Sequence, residues 1–73
     1  MRDPKRLDAF YLDMCLLHKK YFPDWRFGQA MSNFFGWLYQ EKRADCFFPE
    51  EGKMLEYFRE YCEAMTGGGD SNA

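Results

Sequence analysis

The sequence predicts an all-α fold: a compact three-helix domain followed by a flexible Gly-rich tail. Three observations carry that reading. The 73 residues contain no Val and no Ile, and Thr66 is the lone β-branched side chain, whereas strands are built from β-branched and aromatic residues. Apolar residues recur at helical spacing in three separate runs. Proline beside an acid opens two of those runs, at Asp3-Pro4 and Pro49-Glu50-Glu51, and Pro23 closes one.

The first helix is expected over about 4–21. Asp3 offers an N-cap carboxylate and Pro4 a first helical residue that needs no amide hydrogen. Leu7, Phe10, Met14, Leu17 and Tyr21 then mark one face, with Tyr11 and His18 beside them. The second helix is expected over about 25–42, capped by Asp24. Its apolar residues Phe27, Ala30, Met31, Phe34, Phe35, Trp37 and Leu38 cover more than half the circumference, which predicts the central element. Arg43–Phe48 reads as a loop in which Asp45 forms a turn. The third helix is expected over about 50–65, with Met54, Leu55, Phe58, Tyr61, Cys62 and Met65 on one side. Residues 1–66 then make a single domain, and the glycines at 67–69 stop the helix and begin a disordered tail, 67–73.

Fifteen aromatic residues, 21% of the chain, are many for so small a core. Each ring buries on the order of 150–250 Å². Some must therefore stay exposed on the monomer, which suits an interface that a partner covers. The net charge of −2 argues against a basic nucleic-acid binder. Charge is unevenly spread, from +2 over residues 1–22 to −5 over residues 44–73. The basic set Arg2, Lys5, Arg6, Lys19 and Lys20 is interleaved with Asp3, Asp8 and Asp13, which weakens it as a phosphate contact. The longest uncharged stretch, Phe27 to Gln40, has 14 residues and includes amides, too short and polar to span a bilayer.

Cys15, Cys46 and Cys62 cannot all pair within one chain. The first residues lack the apolar core of a signal peptide, so a reducing cytoplasm with mostly buried thiols is expected. Cys15, His18, Cys46 and Cys62 add up to a zinc-compatible set. They lack the second closely spaced ligand pair of structural zinc sites, so no metal and no cofactor is predicted. His18 reads as a helix-face residue bordering the aromatic core, not as a base for a cysteine nucleophile. The three glycines at 67–69 have no following Lys-Ser/Thr and do not form a phosphate loop.

The second helix holds the most informative pattern. Gly28, Ser32 and Gly36 form a small-residue stripe, with the amides Gln29, Asn33 and Gln40 beside it. Two glycines inside a helix cost roughly 1 kcal/mol each against alanine, which close approach of another helix would offset, either the first or third helix of the same chain or a helix of a second copy. On the first helix, Ala9, Leu12 and Leu16 form a second apolar stripe away from Leu7, Met14 and Tyr21. Leu12, Leu16, Gly28, Ser32 and Gly36 are accordingly the residues expected to mediate self-association, as a symmetric homodimer.

One further pattern runs through Pro23-Asp24-Trp25-Arg26-Phe27-Gly28-Gln29 and Asp45-Cys46-Phe47-Phe48. With these segments the chain resembles, over residues 5–63, a group of short uncharacterised proteins of bacteria and their phages. The resemblance implies a compact helical fold and a mobile-element origin, and carries no activity and no catalytic residue.

The expected function is that of a non-enzymatic module docking on a protein partner, an anti-defence inhibitor of a host protein if the mobile-element origin holds. Trp25, Phe35, Trp37 and Tyr39 are the expected anchors, since Trp and Tyr dominate interface hot spots, with Gln29 and Asn33 as polar contacts. The alternative is a homo-oligomer binding a nucleotide or other small ligand through Arg26, Gln29 and Asn33. A further alternative is an acidic mimic of nucleic acid presenting Glu56, Glu60 and Glu63.

Overall fold

The computed structural model describes residues 2–66, which form three α-helices: α1 (Arg6–Tyr21), α2 (Phe27–Lys42) and α3 (Glu51–Met65). There is no strand among the described residues, and the expected tail at 67–73 lies outside them. The architecture is the all-α three-helix domain that the sequence predicts.

Each helix starts later than expected. At the front, the Lys5 amide donates to Asp3 Oδ1 at 3.0 Å. Asp3, expected to cap the first helix, thus closes a turn ahead of it instead, and Lys5 precedes α1 without a side-chain cap. The next amides, of Arg6 and Leu7, bond the carbonyls three residues back, which makes Asp3-Pro4 a tight turn leading into α1. Asp24, expected to cap α2, does not. Residues 22–25 form a turn closed by the Trp25 amide on the Phe22 carbonyl at 3.0 Å, and extended Arg26 precedes the helix without a side-chain cap. Trp25 therefore sits in the turn and not in α2.

At its far end α2 stops at Arg43, whose left-handed backbone (φ 53) reverses the chain. Asp45 then behaves as the expected turn former. Its Oδ1 accepts the amides of Phe47 at 2.8 Å and Phe48 at 3.0 Å.

The centre of the fold is α3 rather than α2, a correction to the expectation. Both α1 and α2 rest on α3, while α1 and α2 barely meet. From α3 come Met54, Phe58, Tyr61 and Cys62, all buried; from α2, Ala30, Phe34 and Leu38; from the first turn, Phe22. Phe34 is the middle of this core. Phe58 meets it edge-on at 4.9 Å between centroids, and Tyr61 lies 5.6 Å away. No residue of α1 is fully buried; Phe10, Met14, Leu17 and Tyr21 pack half-covered against the cluster. The breadth of apolar surface on α2 has another use, because part of it faces an open groove.

Candidate functional site

Two helices that lean on a third and barely meet each other leave a cleft between them. Here it is a groove of about 560 Å³. Phe10, Tyr11, Met14, Cys15 and His18 line it from α1, and Phe27, Met31, Phe34 and Phe35 from α2. The 43–50 loop closes one end with Cys46, Phe47 and Pro49, and Met54 and Glu51 of α3 complete the lining. The lips stand out in solvent: Tyr11 is 62% exposed, Phe27 70% and Phe47 84%.

The polar groups in this lining are few and mostly engaged. His18 Nε2 donates to the Trp25 carbonyl at 2.8 Å; since a carbonyl only accepts, that nitrogen carries the proton. Glu51 accepts from Arg6 Nε at 3.0 Å, and this hydrogen bond holds its carboxyl below the usual range. What remains is apolar, soft and adaptable, with three methionines among the rings.

The groove brings together only some of the expected site residues. Phe35 is half-buried in its wall. Trp25 is half-buried elsewhere, stacked on Phe22 at 4.2 Å between centroids. Trp37 is half-buried too, 5.5 Å from Tyr61, with the Lys42 ammonium 5.9 Å from its ring centre. Tyr39, Arg26, Gln29 and Asn33 are exposed and line no part of the groove.

The Gly28–Ser32–Gly36 stripe is exposed, and a Cβ built on Gly28 or Gly36 meets nothing within 4 Å. No other helix of the described residues fills it. Leu12 and Leu16 are likewise exposed, at 59% and 51%. On the acidic face Glu60 pairs with Lys42 at 2.9 Å and Glu56 with Lys53 at 3.4 Å, so two of its three charges are countered within the chain.

The thiols differ from expectation. Only Cys62 is buried; Cys15 and Cys46 are exposed along the groove. They lie on its helical wall and its end loop, parts of the surface that tertiary packing leaves uncovered. Among the described residues no three His, Cys, Asp or Glu side chains group to hold a metal ion. No helix of the described residues is long and apolar enough to cross a membrane.

Sequence reasoning missed the groove's own residues, chiefly Met14, Phe27, Met31, Phe47 and Met54. One signal was available: Phe47-Phe48 is an aromatic pair inside a loop, where no helical face accounts for it. The chain matches no protein-family model, no curated protein and no solved structure.

Proposed function

We infer that this chain is a non-enzymatic protein-binding module that seats an amphipathic helix of a partner protein in the groove between α1 and α2. The observation that carries the reading is the exposure of the lips. A small molecule held inside the groove would leave Phe27 and Phe47 in water, whereas a helix lying along it covers them.

Dimensions agree with that occupant. The lining runs from Phe10 to His18 on α1 and from Phe27 to Phe35 on α2, about 12 Å on each side at 1.5 Å per residue. Anchors at i, i+4 and i+7 of a docked helix span about 10 Å. With Glu51 and His18 already engaged inside the chain, the groove asks for apolar anchors rather than charged ones. The resemblance to phage-carried proteins favours a host protein as the source of that helix, with docking that blocks or redirects it. A small apolar ligand is the second reading, favoured by the groove volume.

Selection from a displayed library of amphipathic helices tests the reading. The expected result is enrichment of sequences with large apolar residues at i, i+3 or i+4, and i+7. Bound peptide should slow alkylation of Cys15 and Cys46, and Met31→Glu should abolish both effects while helicity is retained. No enrichment, or enriched peptides that leave both thiols equally reactive, would overturn it. A rise in melting temperature with small apolar ligands but with no peptide would support the second reading instead.

A further inference from the structure

We propose that the outer shoulder of α1 is a self-association surface on which two copies of this chain pair antiparallel. Asp8, Leu12, Cys15 and Lys19 follow one another at spacings of four, three and four residues, the spacing of a coiled-coil seam. Tyr11 and Leu16 flank that seam. All six residues are exposed, with Tyr11 at 62%, Leu12 at 59% and Leu16 at 51%. A seam with apolar residues in its middle and single charges at its ends is incomplete on the monomer.

Charge selects the occupant. Asp8 and Lys19 take part in no ion pair among the described residues. An antiparallel copy centred between residues 13 and 14 sets Asp8 against the partner's Lys19, and Lys19 against the partner's Asp8. The same register sets Leu12 against the partner's Cys15, and Tyr11 against the partner's Leu16. A parallel pair would instead oppose Asp8 to Asp8 and Lys19 to Lys19, which repels at both ends. The face is therefore complementary to itself in one direction only, the property a two-fold contact requires. A small domain with no fully buried residue on α1 also gains most by covering that helix.

This surface stands apart from the docking reading above. It shares Tyr11 and Cys15 with the groove's lip, while the groove floor at Met14, Met31, Phe35 and Met54 takes no part in it. A failure of one proposal leaves the other standing.

Sedimentation equilibrium over a concentration series tests the pairing with the wild type, Asp8→Lys, Lys19→Asp and the double reversal. The wild type should dimerise. Each single reversal should raise the dissociation constant about tenfold, since two mirrored pairs turn from attraction to repulsion. The double reversal should restore it. An independent readout is Leu12→Cys, which oxidation with glutathione disulfide should join to the partner's Cys15, and which a Cys15→Ser background should leave uncrosslinked. A wild type that stays monomeric to high micromolar concentration, a double reversal no tighter than the single ones, or a dimer without the crosslink would overturn the proposal.

Discussion

The rings of Phe22 and Trp25 lie face to face, 4.2 Å between centroids and 8° from parallel, and they fasten the turn between α1 and α2 to the core. Phe22 is itself buried and reaches Tyr61 of α3 at 5.7 Å. The Trp25 carbonyl, held by His18 Nε2, adds a second tie to the same turn. One short segment thus sets how far apart α1 and α2 stand, and with it the width of the groove. Trp25→Ala should cost about 2 kcal/mol, from lost burial and lost stacking. Chemical denaturation measures it; a change within 0.5 kcal/mol, the usual range for surface substitutions (about ±0.5), would show that the stack does not hold the turn.

Gly36 sits within α2 with open space where a Cβ would be. Alanine there removes the glycine penalty without meeting any atom of the described residues. Gly36→Ala should stabilise the monomer by about 0.5–1 kcal/mol in thermal or urea unfolding. Destabilisation of the monomer would mean that some part of the chain approaches this face closely.

The three thiols should separate cleanly by rate. At protein concentrations low enough to keep the chain monomeric, Cys15 and Cys46 are exposed and should react quickly with a maleimide, while Cys62 should react only on unfolding. Burial pushes the Cys62 thiol up to about 11, from 9.0 for an ordinary thiol. The folded chain keeps this proton more tightly than the unfolded one. Its contribution to stability is therefore complete below pH 9.0 and lost as pH rises towards about 11. Tyr61, also raised by burial, adds to the fall above pH 10.0. Cys62→Ala should flatten the first part of that slope in denaturation curves measured across alkaline pH.

How much of this was written in the sequence differs between levels of structure. The helices were legible because Asp3-Pro4, Pro23 and Pro49 punctuate the chain and the apolar runs have helical period. Their starts were misplaced by one or two residues because Pro4, Asp24 and Trp25 belong to turns, which share the same capping residues. The hub was misread for a physical reason. Apolar residues over more than half its circumference made α2 look central, but its uncharged residues serve three surfaces: the core through Phe34 and Leu38, the groove through Phe27, Met31 and Phe35, and an outer face of amides and glycines. The stripe read from spacing on α3 is narrower, but its members Met54, Phe58, Tyr61 and Cys62 are all buried. The groove itself was not legible, because it depends on which pair of helices packs least closely, and periodicity within one helix carries no such information. The exposed stripe of Leu12 and Leu16 was legible, because a second apolar face on one helix is a property of that helix alone.

Methionine-methyl NMR tests the central claim most directly, that the space between α1 and α2 receives a partner's helix. Met14, Met31 and Met54 line the groove, and Met65, half exposed near the end of α3, lies outside its lining and serves as an internal control. On titration with a selected amphipathic helix, the methyl signals of Met14, Met31 and Met54 should shift together while that of Met65 stays in place. A bound helix that moves Met65 and leaves the other three unchanged would contradict the account.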